Sequence, residues 1–378
     1  MLSPFQRECY IMAKPVGASC NLACHYCYYA KPQRESMDLS MLERFIQQYI
    51  AMQTTGHVLF TWHGGEPMLQ SLDFYRKAIE FQRKYSDGRH IENCIQTNGT
   101  LLTPEWCKFL HANQWLVGIS IDGTEQMHNA YRLNRHGRRS WQRVMEGIRM
   151  MQQYGVEWNA MATVHSANVG EPLQFYRFFK QIGCQYLQFT PIVESDGHNL
   201  LPCAVKPLEW GQFCCDIFDE WVRKDVGMVF VQLFDATLAN WVGETPGVCS
   251  LAEECGHAGI IEANGDVYSC DHFVYPEYRL GNIREHTLIE LMYGEQQSRF
   301  SAKKRVELPK QCRECQWLFA CHGECPKNRF IDNSDTGTNY LCAGYKKFFS
   351  HVAPQMDIMA NLYRQGLPPA NIMASYLA

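Results

Sequence analysis

The sequence has no surplus of basic residues, no long apolar run and no repeated or low-complexity segment. Its 35 lysines and arginines are outnumbered by 39 aspartates and glutamates, whereas nucleic-acid binding normally needs a basic surplus. No stretch of about 18 apolar residues is present, as a membrane-spanning helix would require. The first 14 residues lack the basic region, apolar block and cleavage site of a secretory signal. We therefore expect a cytoplasmic protein with no nucleic-acid and no membrane partner.

Cysteine, in contrast, is abundant, with 18 residues in a chain of 378. Disulfides are rare in the cytosol, so clustered cysteines without an export signal favour metal binding or catalysis. Two dense groups lie at residues 20–27 and 249–342. This grouping predicts two metal-bearing regions.

The first group has the spacing C-x3-C-x2-C, formed by Cys20, Cys24 and Cys27. Thiolates are the ligands that iron-sulfur clusters select. A four-iron cluster held by three cysteines keeps one iron open for a chelating ligand. The alternatives are a disulfide framework and a zinc knuckle, which needs a fourth ligand such as His25 or a distant residue.

Short β-like runs alternate with amphipathic segments between about residues 10 and 235, which is the rhythm of βα units. One helix is predicted over residues 40–53, with Ser40 as N-cap and Glu43 completing a capping box. Further helices are predicted over 73–84 and 141–154. The pattern indicates an α/β fold with a parallel sheet, open or curled into a partial barrel. The predicted strands are 10–13, 57–62, 91–96, 116–121, 157–164 and 186–190.

Several short motifs follow the predicted strands directly. The cysteine group follows the first strand, residues 64–67 (GGEP) the second, 97–99 (TNG) the third and 122–123 (DG) the fourth. Ligands of such folds sit at the carboxyl ends of the strands, so we expect these motifs around one cavity. The βα rhythm fades past residue 235, which predicts domains over 1–235 and 236–378, the second ending in a helix over 345–363.

The second cysteine group contains eight residues, enough for two clusters with four thiolates each. Structural zinc is the alternative for any single C-x2-C pair, but the complete string makes that alternative improbable. Fully ligated clusters have no open iron, so they are suited to moving electrons or holding the fold. The eight are Cys249, Cys255, Cys270, Cys312, Cys315, Cys321, Cys325 and Cys342.

Together these motifs resemble those of radical S-adenosylmethionine (SAM) enzymes. The three cysteines and the Gly-Gly-Glu-Pro run about 40 residues later match the core of that family, and the C-terminal string matches its auxiliary-cluster extension, the SPASM domain. The resemblance implies a partial (β/α)6 barrel followed by a small cysteine-rich domain, with three 4Fe-4S clusters and SAM as cofactors. It also implies interleaved auxiliary ligands: Cys249, Cys255, Cys270 and Cys325 for one cluster, and Cys312, Cys315, Cys321 and Cys342 for the other.

The resemblance also implies residues that bind SAM. Without it, the Gly-Gly-Glu-Pro run reads as a turn, Ser120 as a strand-end cap and Arg132 as a solvated surface charge. With it, Ser120 and Arg132 hold the ribose and the methionine carboxylate, since arginine suits bidentate carboxylate recognition. Tyr26 flanks the adenine or shields the cluster. Gly64, Gly65 and Glu66 bind the methionine amino group, with Glu66 as the anion for the ammonium.

Asp271 directly follows the cluster ligand Cys270. A carboxylate fixed in this way suits a positioned general base, although an ordinary hydrogen-bonded turn aspartate is an equally good interpretation from the residues alone. The Cys-Asp pair is similar to that of anaerobic sulfatase-maturating enzymes, in which this aspartate is the proposed base. The same resemblance places Tyr29 and Gln96 at the substrate. His63 departs from the glutamine frequent before Gly-Gly-Glu-Pro, and a buried, satisfied histidine is the alternative to a substrate contact.

That subfamily oxidises a cysteine or serine in an unfolded sulfatase segment, Cys/Ser-x-Pro-x-Arg, to Cα-formylglycine. The resemblance therefore implies an unfolded sulfatase polypeptide as substrate and reduced flavodoxin or ferredoxin as electron donor. A radical maturase of a ribosomally made peptide, forming a thioether or another crosslink, is the second interpretation. A multi-zinc scaffold without catalysis is the third. The remaining cysteines read as buried apolar residues, with a redox pair as the alternative for the adjacent two: Cys9, Cys94, Cys107, Cys184, Cys203, Cys214 and Cys215.

Overall fold

A computed structural model describes residues 9–30, 35–195, 199–331 and 337–376. The chain divides into two compact units. Unit 1 comprises Met1–Ser120, Arg132–Trp158 and Gly256–Ala302, and unit 2 comprises Ile121–Tyr131, Asn159–Cys255 and Lys303–Ala378. The domain boundary at residue 235 stays a prediction. No helix within the described ranges has the length and apolar character needed to cross a membrane.

Strands and helices alternate through the first part of the chain. The strands are β1 (Cys9–Lys14), β2 (His57–Trp62), β3 (His90–Thr97), β4 (Leu116–Ser120), β5 (Trp158–Val164), β6 (Tyr186–Pro191), β7 (Phe230–Val231), β8 (His257–Glu262), β9 (Asp266–Tyr268), β10 (Arg279–Asn282), β11 (Arg329–Ile331) and β12 (Thr338–Asn339). The helices are α1 (Leu39–Ala51), α2 (Leu72–Tyr85), α3 (Pro104–Ala112), α4 (Glu125–Asn129), α5 (Trp141–Gln153), α6 (Pro172–Gln181), α7 (Pro207–Lys224), α8 (Gln232–Val242), α9 (Leu288–Met292), α10 (Glu295–Val306), α11 (Lys310–Arg313), α12 (Leu318–Cys321) and α13 (Cys342–Arg364).

The sheet of unit 1 has the strand order β10-β9-β8-β1-β2-β3-β4. Strands β1 to β4 are parallel, and β8 pairs parallel with the free side of β1. Strands β9 and β10 add antiparallel to β8. This order brings the segment after β9, which carries Asp271, into the same unit as the loops that follow β1 and β2.

In unit 2, β5, β6 and β7 pair in parallel, and the long helices α7 and α13 pack closely. The contact depends on two glycines, because a Cβ atom on Gly211 would lie 2.5 Å from the Gly344 carbonyl oxygen. A Cβ atom on Gly344 would lie 2.1 Å from the Pro207 oxygen. The absence of side chains at this crossing lets the two backbones approach.

We expect Gly344→Ala to lower the free energy of unfolding by about 1–3 kcal/mol, the usual cost of overpacking. The added methyl group meets backbone atoms, which cannot rotate away. Gly170→Ala is the matched control in the same unit, since no atom lies within 4 Å of its Cβ position. Urea unfolding midpoints of the anaerobic holoenzyme check this expectation, and equal midpoints for the two variants would contradict it.

The six predicted strands are confirmed as β1 to β6, with ends that differ by one residue at most. Helices α2, α5 and α13 confirm the helical predictions for those segments. The predicted N-cap of the first helix was wrong. Asp38, not Ser40, caps α1 by accepting a hydrogen bond of 2.8 Å from the Met41 amide. Ser40 instead donates its hydroxyl to Asp38, because a carboxylate accepts hydrogen bonds more strongly than a hydroxyl.

Candidate active site

The three cysteines of the first group lie on the loop between β1 and α1, and all are free thiols. Backbone amides point at two of the sulfurs: Leu22 N lies 3.4 Å from Cys20 Sγ, and Ala30 N lies 3.3 Å from Cys27 Sγ. Burial raises the pKa of Cys20 to about 11, and the Leu22 amide opposes that rise. Amide donors to sulfur are compatible with the thiolate, the form in which cysteine binds metal. The loop therefore suits metal ligation.

The spacing of the sulfurs argues against a single zinc ion. A tetrahedral zinc site holds its sulfurs roughly 3.8 Å apart, as follows from a zinc-sulfur bond of about 2.3 Å. Within the described part of the chain, no three cysteine sulfurs lie within 4.8 Å of one another. The sulfurs of the described residues are thus not arranged for a single zinc ion held by three thiolates.

The Gly-Gly-Glu-Pro loop after β2 is tied to the cysteine loop by its backbone. The Gly65 amide donates to Gly17 O and the Glu66 amide donates to Ser19 O, both at 2.8 Å. A Cβ atom on Gly65 would lie 2.0 Å from Ser19 O. Only glycine permits this approach, so the two loops that carry the predicted cofactor residues are held together.

We expect Gly65→Ala to separate these loops and to lower the free energy of unfolding by about 1–3 kcal/mol. Gly56→Ala in the same unit is the control, because its Cβ position is open. Iron content after anaerobic reconstitution, together with the thermal midpoint, measures the effect. The expectation fails if both variants match the parent protein in both measurements.

Glu66 is fully buried and its carboxylate accepts three hydrogen bonds. The donors are Met68 N at 3.0 Å, Thr97 Oγ1 at 2.6 Å and Asn98 N at 2.8 Å. Burial raises the pKa of Glu66 to about 7, against the effect of these bonds. The side chain thus joins the ends of β2 and β3. Its predicted contact with the ammonium of SAM stays a prediction.

The remaining predicted SAM residues are each paired in unit 1, and the partner of Ser120 is the predicted substrate residue Gln96. The guanidinium of Arg132 is buried and lies over the Tyr26 ring, 5.5 Å from its centroid. Gln96 donates a hydrogen bond of 3.0 Å to Ser120 Oγ. The Arg132 segment is joined to the cysteine loop, since the Ala23 amide donates to Leu133 O at 2.8 Å.

Asp271 is held by two side chains that the sequence alone did not single out. Lys14 Nζ lies 2.5 Å from Oδ1 of Asp271, and the Tyr28 hydroxyl donates to Oδ2. Burial opposes ionisation, but the charge of Lys14 holds the pKa of Asp271 well below its usual range. The carboxylate is therefore ionised at neutral pH.

Lys14 is itself buried at the end of β1 and also contacts the substrate candidate Tyr29. Its Nζ lies 3.4 Å from the centroid of the Tyr29 ring. The Tyr29 hydroxyl donates to both oxygens of Glu262, at 2.7 and 2.8 Å. A single cation therefore connects the predicted base with a predicted substrate residue. The only sequence signal was a lysine ending an otherwise apolar strand.

His63 lies beside this group, and its Nδ1 has two contacts with Gly64. The Gly64 amide donates to Nδ1 at 2.7 Å in the tautomer whose proton is on Nε2. The Gly64 oxygen lies 3.3 Å from Nδ1 and accepts from it in the other tautomer. Burial lowers the pKa of His63, which favours the neutral ring.

In unit 2, four cysteines of the second group line one cavity. Burial raises the pKa of Cys321 to about 12 and also raises the pKa of Cys312 and Cys342. A bound metal ion makes a coordinating thiol ionise. The cavity therefore suits a cluster with four thiolates. Its cysteines are Cys312, Cys315, Cys321 and Cys342.

Cys249 and Cys255, also in unit 2, lie near buried positive charge. Lys304 Nζ donates to the carbonyl oxygens of Cys249 and Ser250, the latter at 2.8 Å. Its charge interacts with Cys249, Cys255 and Cys325. A cation here offsets the negative charge of several thiolates. Cys270 belongs to unit 1, and its share in this ligand set stays a prediction.

Among the seven cysteines without a predicted ligand role, six are buried and Cys94 is half-buried. All are free thiols. Burial raises the pKa of both Cys214 and Cys215, which keeps them protonated and unreactive. The structure thus supports packing rather than redox chemistry for this pair.

Comparison with known proteins identifies both regions of the chain. Residues 15–179 match the Radical SAM superfamily, and residues 254–316 match SPASM, an iron-sulfur cluster-binding domain. The serine-type anaerobic sulfatase-maturating enzyme of Bacteroides thetaiotaomicron is 54% identical, with 98% of this chain and 96% of the relative covered. The cysteine-type enzyme of Clostridium perfringens is 31% identical, with 93% and 98% covered.

A solved structure agrees with these relatives. The chain superimposes on native anSMEcpe with bound AdoMet with a TM-score of 0.86 and 31% identity, covering 94% of this chain and 100% of the other. The expected fold class, a radical SAM α/β domain with a SPASM domain, is thereby confirmed. This chain belongs to the anaerobic sulfatase-maturating enzymes, radical SAM proteins that carry a SPASM iron-sulfur domain.

Proposed function

We propose that this enzyme converts a cysteine or serine in an unfolded sulfatase segment, Cys/Ser-x-Pro-x-Arg, to Cα-formylglycine. The observation that carries the proposal is the ionised Asp271, held by Lys14 and Tyr28 in the same unit as the three-cysteine loop. Relatives that span the whole chain are named serine-type and cysteine-type sulfatase-maturating enzymes. They favour this reaction over the crosslinking of a ribosomal peptide.

Three 4Fe-4S clusters and SAM are the proposed cofactors. Cys20, Cys24 and Cys27 hold the first cluster, and the eight cysteines of the second group hold two auxiliary clusters. When bound, the first cluster would supply the electron for reductive cleavage of SAM, so that a β-hydrogen could be abstracted from the substrate. An auxiliary cluster would accept the second electron. The radical core is proposed to extend over 1–235 and the SPASM region over 236–378. A reduced flavodoxin or ferredoxin in the cytoplasm is the proposed electron source.

The chain's own residues are proposed to bind SAM, to orient the Asp271 carboxylate and to move a proton. Residues 64–66, Ser120, Arg132 and Tyr26 are proposed to bind SAM. Asp271 is proposed to take the proton from the substrate hydroxyl or thiol, for which an ionised carboxylate is required. Lys14 and Tyr28 fix the direction of that carboxylate. Serine then gives the aldehyde directly, whereas cysteine needs hydrolysis of a thioaldehyde.

Tyr29, His63 and Gln96 are proposed to line the substrate cavity, and the tautomer of His63 suits a serine substrate. We propose the tautomer with the proton on Nε2, which is supported by the shorter of the two Gly64 contacts, 2.7 Å from the amide to Nδ1. A hydroxyl oxygen accepts a hydrogen bond well, while a thiol sulfur accepts weakly. His63 therefore stabilises a bound serine more than a bound cysteine, in line with the serine-type name of the 54% identical relative.

We expect His63→Gln to lower the ratio of serine to cysteine turnover by about three- to tenfold, the value of one neutral hydrogen bond. Glutamine offers both an oxygen and an amide group, so it loses the fixed donor. Aldehyde yields from paired Ser and Cys peptides measure the ratio. His136→Gln, at an exposed position, is the control, and an unchanged ratio in the His63 variant would refute the assignment.

The proposed function is tested with the anaerobically reconstituted enzyme, SAM, a reductant and peptides that carry Cys-x-Pro-x-Arg or Ser-x-Pro-x-Arg. Mass spectrometry detects the aldehyde, and a peptide with alanine at the target position is the control. Aldehyde on either peptide supports the proposal and reports the preference. Formation of 5'-deoxyadenosine without aldehyde would redirect the search to another peptide substrate.

A further inference from the structure

Three side chains that the proposed reaction does not use meet at the amino ends of β2 and β3. His57 is the first residue of β2, His90 is the first residue of β3, and the two pair in register. Glu92 follows two residues after His90, so it lies on the same face of β3. The rings of His57 and His90 lie 5.4 Å apart at 30°. The sheet thus presents two imidazoles and one carboxylate side by side.

The donor atoms of these side chains converge. Oε1 of Glu92 lies 3.0 Å from Nε2 of His57 and 3.3 Å from Nε2 of His90, and the three donor atoms lie within 4.8 Å of one another. A tetrahedral zinc ion with ligands at about 2.0–2.1 Å keeps its donors roughly 3.3 Å apart. Two of the three separations are already close to that value.

Both imidazoles direct Nε2 at the same carboxylate oxygen, Oε1 of Glu92. A neutral imidazole carries its lone pair on either ring nitrogen, so each Nε2 is available to an ion in one of its two tautomers. A divalent ion satisfies both rings and the carboxylate at once. Two histidines and a glutamate with an open fourth position form a recognised zinc ligand set.

The side chains of His57, His90 and Glu92 lie far from the proposed radical site. The loops that hold the first cluster and Glu66 follow the carboxyl ends of the strands, whereas His57 and His90 begin them. A six-residue strand spans roughly 17 Å at about 3.3 Å per residue. A metal here contacts neither the cysteines nor Asp271, and it joins the starts of two neighbouring strands.

We propose that His57, His90 and Glu92 bind a divalent transition-metal ion of the zinc type, with water at the fourth position. The side chains are between 51% and 69% exposed, so the ion exchanges with solvent and is bound more weakly than a buried structural zinc. The proposed role of the ion is to cross-link the amino ends of β2 and β3 at the surface. This proposal does not rest on the proposed reaction, because it is tested by metal binding and not by turnover.

The test uses tag-free holoenzyme with its clusters filled, so that the cysteines are not available to zinc. Zn²⁺ is titrated anaerobically against a chromophoric chelator for the parent protein, for the His57→Ala/His90→Ala double variant, and for Glu92→Gln. His136→Ala is the matched control, an exposed histidine outside the cluster. Iron content and the thermal midpoint verify that every variant is folded.

We expect one zinc ion more per chain in the parent and in His136→Ala than in the double variant, and at least tenfold weaker binding by Glu92→Gln. Cobalt provides a second readout, because bound high-spin Co²⁺ gives an electron paramagnetic resonance signal when the clusters are in their diamagnetic resting state. That signal should also be lost in the double variant. Equal zinc stoichiometry and affinity in the parent and the double variant, or no binding by the parent at 100-fold excess zinc, would overturn the proposal.

Discussion

Replacing Asp271 with Asn should leave iron content unchanged and lower aldehyde formation by about 10²- to 10⁴-fold, the usual contribution of a positioned general base. Asparagine keeps the size of the side chain, so the Tyr28 hydroxyl retains an acceptor. The asparagine side chain cannot accept the substrate proton. The loss should therefore appear as missing product in a folded enzyme with its clusters in place.

The measurement is anaerobic turnover of the Ser and Cys peptides, with aldehyde and 5'-deoxyadenosine quantified in the same sample. Asp73→Asn, on an exposed turn of α2, is the matched control because it removes the same charge away from the site. If aldehyde formed at the parent rate in the Asp271 variant, another group would have to take the proton. Loss of 5'-deoxyadenosine alongside aldehyde would instead indicate that the variant disturbs the binding of SAM.

The sequence predicted those parts of this site that depend on local pattern. Apolar runs of strand length located β1 to β6, and the parallel arrangement then placed the loops of Cys20, Gly65 and Thr97 at one edge. The return of β8 to the side of β1 was not predicted, because a pairing over more than 240 residues leaves no local periodicity. That pairing is nevertheless what brings Asp271 into unit 1.

Side-chain roles were harder to predict than positions. Glu66 was expected as an anion for a ligand, whereas the structure shows its oxygens bonded to Thr97, Asn98 and Met68. Lys14 was not singled out, since a lysine at a strand end is ordinarily solvated. Its burial and its partner depend on which segment packs above it. That segment lies more than 250 residues away, so only the tertiary structure reveals the pair.

Replacing Lys14 with Met should lower the free energy of unfolding by about 3–5 kcal/mol, the usual cost of removing one partner from a buried ion pair. Methionine preserves most of the apolar stem, so the loss reports the charge. The lysine side chain is 1% exposed and that of Asp271 is 21% exposed, hence solvent screens the abandoned carboxylate only in part. Contact with the Tyr29 ring is lost too, which adds about 0.5–2 kcal/mol at most.

A double-mutant cycle separates these causes. Lys14→Met combined with Asp271→Asn leaves no unpaired charge, so the double variant should be more stable than Lys14→Met alone, even though it carries one more substitution. Urea midpoints of the anaerobic holoenzymes give the coupling energy. Strictly additive losses would show that Lys14 and Asp271 are independent. A coupling of more than about 1 kcal/mol would show that the Lys14 ammonium stabilises the Asp271 carboxylate, as the positioning role proposed for Lys14 requires.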